Sequence, residues 1–247
     1  MPSFIRRLAP LALVVLFALG AIGPAGTVRA EQASPYARDS RGYDISYPQG
    51  SGPYPAQPYA FGIVGVTGGR AASQNSHLAQ QFAWAKGGTG APPALYMNLN
   101  APVGRSATQE RTSTPLSCKG GDKACQGYNY GWHVAQEAVA YAASQGASAA
   151  LWWLDIETAN SWLQADVNIA TINGATAGLK AAGVGTVGIY STPAMWTSIT
   201  GGYTGGGWPT WQSGPTSCPA AGAVGFAGGP LWLVQHFAGG LDVDIAC

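Results

Sequence analysis

Residues 151–162 read LWWLDIETANSW. An apolar run from Leu151 to Leu154 is followed at once by Asp155 and Glu157, two of only eleven acidic residues in a 247-residue chain. A short apolar run bounded by turn formers reads as a buried strand. If the strand spans 149–157, its pleat puts Asp155 and Glu157 on one face, two residues apart. They then stand at the carboxyl end, where catalytic groups collect in barrels of parallel strands. Trp152 and Trp153 provide apolar surroundings, and burial together with a neighbouring like charge raises a carboxyl's proton affinity. A glutamic acid kept protonated in this way can serve as a general acid near neutral pH. Taken alone, an Asp-x-Glu reads better as a strand-end pair facing solvent or capping the next helix.

The segments on either side alternate between strand and helix patterns. GYDISYP (42–48), FGIVGVTGG (61–69), PPALYMNLN (92–100) and VGIYS (187–191) read as strands. SHLAQQFAWAKG, with Asn75 as its expected cap, reads as a helix ended by Gly87. YGWHVAQEAVAYAASQG (130–146) is amphipathic, with Gly146 at its C-terminus. Further helices are expected from about Asp166 to Ala182 and over 193–200, where Pro193 suits a first turn. Residues 101–127 read as an excursion loop. The C-terminal third is glycine-rich, with strands expected near 208–212, 231–237 and 241–246. Buried strands alternating with helices imply an α/β protein with a parallel sheet. The best fit is a modified (β/α) barrel of the TIM type whose helices are reduced in the C-terminal third; an open doubly wound sheet is the alternative. No glycine-rich nucleotide fingerprint follows a strand.

A barrel changes the weight of the acids. Asp44 lies in the first expected strand, while Asp242 and Asp244 lie two apart in the last, LDVDIAC. Closure makes first and last strands neighbours, so Asp44 and one of that pair could meet. Five of the eleven acids then fall in three strands, where acids are normally depleted. Charges are seldom buried without a task, and paired carboxylates suit glycoside hydrolysis. Nine tryptophans and eleven tyrosines agree, since sugar rings stack on aromatic faces. Many of these must be core, as Trp84 and Trp132 are expected to be. Trp153, Tyr190, Trp211 and Trp232, near strand ends, are the better candidates to line a groove.

The first thirty residues have the form of a secretory signal peptide: Arg6 and Arg7, an apolar stretch broken by Pro10 and Gly20, and Val28-Arg29-Ala30. Residues 1–30 are therefore expected to be removed, 31–41 to form a polar linker and 42–247 to form one domain. A retained anchor is the competing reading, although the stretch falls short of about 20 residues. The arginine pair does not separate the general export route from the twin-arginine one. Removing the leader leaves nine basic against eleven acidic residues. Without a basic stripe or polybasic segment, neither nucleic acid nor a membrane surface is an expected partner of the mature chain. In an exported chain four cysteines point to disulfides. Cys118 with Cys125 and Cys218 with Cys247 is the simplest of three connectivities. The cysteine spacings and the scattered His77, His133 and His236 do not suggest a metal site, and no cofactor is expected.

GYDIS near the mature start, LWWLDIE in mid-chain, GIYST, and the terminal WLVQHFAGGLDVDIA together resemble glycoside hydrolase family 25, the Chalaropsis-type lysozymes. The likeness covers about 42–247, and the chain looks closest to secreted bacterial proteins grouped with that family. It implies a modified β/α barrel that cleaves the β-1,4 bond between N-acetylmuramic acid and N-acetylglucosamine. By the same resemblance Glu157 would be the general acid. Asp155 would orient the N-acetyl group or stabilise positive charge, and Asp44 would be the first-strand acid. Asp242 and Asp244 would be the terminal pair. The family's Trp-Gln-Tyr is Val234-Gln235-His236 here, and its Tyr-His step is Tyr96-Met97-Asn98, so the sugar-holding residues differ more than the acids. Tyr96, Asn98, Trp153, Tyr190, Trp211 and Gln235 are the candidate substrate contacts. The functional expectation is a secreted, monomeric hydrolase of peptidoglycan or a related amino-sugar polymer; the alternative is an envelope barrel that binds glycan without cutting it.

Overall fold

The apolar runs become eight short strands: β1 (Arg41–Ile45), β2 (Phe61–Gly65), β3 (Ala94–Asn98), β4 (Leu151–Asp155), β5 (Thr186–Ser191), β6 (Trp208–Ser213), β7 (Gly228–Ala238) and β8 (Leu241–Ala246). The computed structural model describes residues 33–247, so the expected leader lies outside the described residues. The strands close into a barrel in sequence order. Strands β1 to β7 run parallel, each to the next. Strand β8 departs from the parallel pattern: it folds back from β7 as a hairpin and pairs antiparallel with both β7 and β1.

The helices follow the expected reduction, with one addition. Helix α1 (Leu78–Ala85) precedes β3, α2 (Gln109–Ser113) and α3 (Lys123–Ser144) precede β4, α4 (Ala165–Ala181) precedes β5, and α5 (Pro193–Thr200) precedes β6. The connections after β6 and β7 carry no helix, and that between β1 and β2 carries only a 3-10 turn, Tyr47–Gln49.

Alternation along the strands separates two apolar layers. Outward-facing Val64, Leu95, Met97, Trp152, Leu154 and Ile189 pack against Leu78, Phe82, Val134, Ile172 and Leu179 of the helices. Inward-facing Phe61, Ile63, Leu151, Trp153, Trp211 and Trp232 fill the barrel. Trp152 thus belongs to the helix interface and gives the carboxylates no apolar wall. Gly188 makes room for Trp153, since a Cβ there would lie 2.3 Å from its ring.

Two local expectations are corrected. Helix α3 begins seven residues before the expected start, inside the supposed loop: the Asp122 carboxylate accepts from the Cys125 backbone N–H at 3.0 Å and caps it. Glycine is a poor helix former, but here it sets the packing distance. A Cβ on Gly131 would lie 2.0 Å from the Thr171 carbonyl oxygen of α4, and one on Gly174 would lie 1.9 Å from that of Tyr128. Asn75 stands two residues before the N-cap position, His77, and its Oδ1 accepts from the His77 N–H at 3.0 Å. Its buried amide donates to the Gly65 carbonyl at 2.8 Å and to Gln81 Oε1 at 2.7 Å, tying the end of β2 to the helix.

The polar stretch before β1 is packed rather than a free linker. Tyr36 is buried against Phe61, with ring centroids 4.3 Å apart, and joins the barrel-interior cluster. Arg38 donates to the carbonyls of Cys247 and Pro219, each at 2.7 Å. Disulfides join Cys118 to Cys125 and Cys218 to Cys247. The second fixes the end of β8 to the β6–β7 loop. Among the described residues, no helix is long and apolar enough to cross a membrane.

Candidate active site

A cavity of about 160 Å³ opens at the carboxyl ends of the parallel strands, lined by Asp44, Tyr96, Asp155, Glu157, Tyr190, Trp211, Gln235 and Asp242. Residues from β1, β3, β4, β5, β6, β7 and β8 thus converge on one volume.

Asp155 is the last residue of β4 and faces inward, 5 % exposed. Asn98, at the equivalent end of β3, donates its amide to Asp155 Oδ2. Asn98 is itself held by Thr67, whose hydroxyl donates to Asn98 Oδ1 at 2.7 Å and accepts from its backbone N–H at 3.0 Å. Asn98 does not line the cavity; it sets the position of the carboxyl that does. Thr67 carries no chemistry-bearing pattern in the sequence, so only the fold reveals it.

Glu157 lies beyond the end of β4, where the chain has left the sheet. Its placement comes from the turn that follows. The Trp162 indole donates to the Glu157 carbonyl at 2.8 Å, and the Asn160 N–H donates to the same oxygen at 3.1 Å. Ile156, between the two acids, is clamped to β5: its N–H donates to the Tyr190 carbonyl at 3.0 Å, and Ser191 donates its hydroxyl to the Ile156 carbonyl at 2.6 Å. The rest of LWWLDIETANSW is therefore the frame that holds Glu157 over the cavity.

Burial, the charge of Glu157 and then that of Asp44 raise the proton affinity of Asp155 well above the usual carboxylate range. Burial also raises Glu157, and the neighbouring Asp155 carboxyl partly offsets this. Asp155 Oδ1 is buried with no hydrogen-bond partner, and the shifts of both carboxyls favour their protonated forms.

A second group of acids meets across the barrel closure. Asp44 stands opposite Asp242 in the β1–β8 register. Gln235 donates to Asp44 Oδ2 at 2.7 Å and accepts from the Tyr190 hydroxyl at 2.7 Å. Asp44 is pushed up to about 8, by burial first and by the charge of Asp242 second. Asp244 lies outside the cavity lining. It is fully buried and accepts from the Trp211 indole at 2.9 Å through Oδ1, while its Oδ2 has no hydrogen-bond partner. Burial, then the charge of Asp44, raises it well above the usual range. Asp242, half-buried, is raised by burial alone.

The aromatic residues divide differently from the expectation. Trp153 is 0 % exposed and Trp232 3 % exposed, because both indoles are consumed in filling the barrel. Neither can offer a face to a ligand. Trp211 is 1 % exposed and forms the cavity floor, packed edge-on against Trp153 at 5.7 Å and Tyr190 at 4.5 Å. Tyr96 and Tyr190 form the walls, and burial raises both phenols above their usual range, so they remain neutral donors. Among the described residues, no cluster of three or more His, Cys, Asp or Glu could hold a metal ion.

Residues 123–213 match the family model described as Lysozyme-like protein 1. "Probable GH family 25 lysozyme 2" of Dictyostelium discoideum is 38% identical over 80 residues, 32% of this chain and 37% of that protein. The chain thus spans about a third of the length of the curated relatives it matches. The barrel is similar to that of the muramidase from Acremonium alcalophilum, with a TM-score of 0.55 at 19% identity over 84% of this chain and 93% of the other. It is also similar to a family GH25 lysozyme from Aspergillus fumigatus, with a TM-score of 0.54 at 14% identity over 84% and 94%. The matched segment contains α3, β4 with Asp155 and Glu157, and β5. The chain resembles a family 25 lysozyme over 80 residues, and it shares the fold of such enzymes.

Proposed function

We infer that the chain is an exported, monomeric glycoside hydrolase that cuts β-1,4 bonds of peptidoglycan or a related amino-sugar polymer. The observation that carries this reading is the convergence of Asp155 and Glu157 with Asp44 on one cavity at the carboxyl ends of the barrel strands. Similarity to lysozymes in the segment holding both mid-chain acids supports the same conclusion.

In this reading Glu157, the more accessible acid, gives its proton to the glycosidic oxygen as the bond from C1 to that oxygen breaks. The acetamido carbonyl of the same sugar bonds to C1, and Asp155 stabilises the positive charge that develops on the ring so formed. Water then opens the ring, losing its proton to the Glu157 carboxylate, so the anomeric configuration is retained overall. Asp44 and Asp242 hold the substrate's polar groups, with Tyr96, Tyr190 and Gln235 as neutral partners. Export follows from the leader-like residues 1–30 and agrees with two disulfides.

The test is digestion of purified peptidoglycan by the disulfide-intact chain, followed by borohydride reduction and identification of the reduced sugar. Reduced N-acetylmuramic acid is the expected product. Reduced N-acetylglucosamine would assign the cut to the other glycosidic bond. No reduced sugar, from a chain that still pellets with the polymer, would favour a glycan-binding barrel.

A further inference from the structure

Burial of Trp153 and Trp232, with Trp211 only 1 % exposed beneath the cavity, leaves the acids without an exposed indole face, and the cavity's other rings are the two wall tyrosines. One further ring stands exposed beside the cavity. Phe237, near the end of β7, is 74% exposed, the most exposed aromatic among the large apolar side chains at the surface of the described residues.

Three observations tie it to the cavity. Register along the end of β7 is regular, pairing Gln235 with Asp244, His236 with Val243 and Phe237 with Asp242. Alternation therefore puts Phe237 on the face of Gln235, which lines the cavity, and His236 on the other. Asp242 in turn pairs with Asp44. Asp44, Asp242 and Phe237 form a single row across β1, β8 and β7, and Phe237 is two strand spacings, about 10 Å, from Asp44. The hairpin beyond it is short: Gly239 and Gly240 take φ of +62° and +81°, the two-residue turn whose twist suits a hairpin. A Cβ built on either glycine would meet nothing within 4 Å, so the tip carries no side chain that screens the ring.

We propose that Phe237 is a stacking platform for a sugar ring of the glycan strand, on the β7–β8 side of the cavity and adjacent to the ring held by Asp44 and Asp242. A pyranose presents an apolar C–H face and polar edges. The Phe237 ring matches the face, and Asp242 beside it accepts from hydroxyl or amide edges. A lone exposed apolar residue needs no function in general; the argument here rests on its row with two cavity acids. It also supplies an aromatic one residue after His236, on the cavity-facing side of the strand. This platform builds on the proposed glycan reading.

The test measures binding of uncrosslinked, soluble peptidoglycan glycan strands to the full disulfide-intact chain carrying Glu157→Gln, so that turnover does not interfere. Adding Phe237→Ala should weaken binding roughly tenfold, Phe237→Trp should restore it, and Phe237→Leu should not. Unchanged affinity in Phe237→Ala, or equal rescue by Leu and Trp, would overturn the platform. Reducing-end release by the wild-type chain separates this from the hydrolase reading. Cleavage without any effect at position 237 sinks the platform alone. Binding that depends on Phe237 in a chain that never cleaves sinks the hydrolase reading alone. A chain that binds no glycan strand overturns both.

Discussion

Gln235 donates to Asp44 at 2.7 Å across 191 residues of sequence, and its carbonyl accepts from Tyr190. One neutral side chain thus fixes an acid of the first strand and a phenol of the fifth. Gln235→Ala leaves a buried carboxyl oxygen and a hydroxyl without their partner, which should cost about 1–3 kcal/mol of stability. Reducing-end release from peptidoglycan should fall roughly 10- to 100-fold, since small misplacements at a reacting site are expensive. Denaturant unfolding and initial rates check the two effects separately. A variant with wild-type rate would remove the Gln235 relay from the account.

Stability should fall as pH rises from about 4 to 8. Asp44 moves from an ordinary 3.8 to about 8 in the folded chain, and Asp155 and Asp244 shift the same way. Between those values the folded state keeps protons that the unfolded state has released. Their contribution is complete below the unfolded value and is lost as pH passes the folded one. Each such proton allows a slope of up to about 1.4 kcal/mol per pH unit. Asp44→Asn, which has no proton to release there, should show a shallower decline. Thermal melts at intervals from pH 4 to 8 decide it; a Tm that rises over this range would contradict the assignment.

The contact between α3 and α4 depends on glycine. Alanine in place of Gly131 or Gly174 improves intrinsic helix propensity by about 1 kcal/mol, but its Cβ meets a backbone carbonyl of the facing helix at 2.0 or 1.9 Å. No rotamer change relieves a clash with backbone, so the helices must separate. Net destabilisation of about 1–3 kcal/mol is expected for either variant, read from denaturant unfolding. A stabilised Gly131→Ala would show that the helices are free to move apart.

The barrel and its strand order were legible because buried strands announce themselves as apolar runs. LWWLD and FGIVG are unbroken because both faces of a barrel strand are covered. The carboxylates were legible for a related reason, since acids are rare in strands. What the sequence could not show was which neighbour each side chain meets. Trp153 and Trp211 look alike as strand-end indoles, yet the first is sealed beneath the second. Thr67 and Asn98 acquire their role only when β2 and β3 bring them under Asp155. Glycines within a helix read as breaks in the pattern, which hid the first turns of α3.

The two disulfides should differ in weight. Cys218 and Cys247 are 29 residues apart, Cys118 and Cys125 only seven. In the chain-entropy model the longer loop contributes about 3.6 kcal/mol and the shorter about 2.4 kcal/mol. Cys218→Ser with Cys247→Ser should therefore lower the Tm more than the equivalent pair at 118 and 125. It should also loosen β8, and with it the Asp44–Asp242 pairing across the barrel closure, so activity should fall as well. Equal losses from both pairs would mean that loop length is not what decides.

The central claim is that Glu157 hands its proton to a glycosidic oxygen. Its most direct test is release of new reducing ends from purified peptidoglycan by the disulfide-intact wild-type chain and by Glu157→Gln. Folding of each is checked by thermal melting, and binding by pelleting with the polymer. The account predicts release by the wild type and a loss of at least about a hundredfold in the glutamine variant, with binding retained. Release that survives in Glu157→Gln would contradict it.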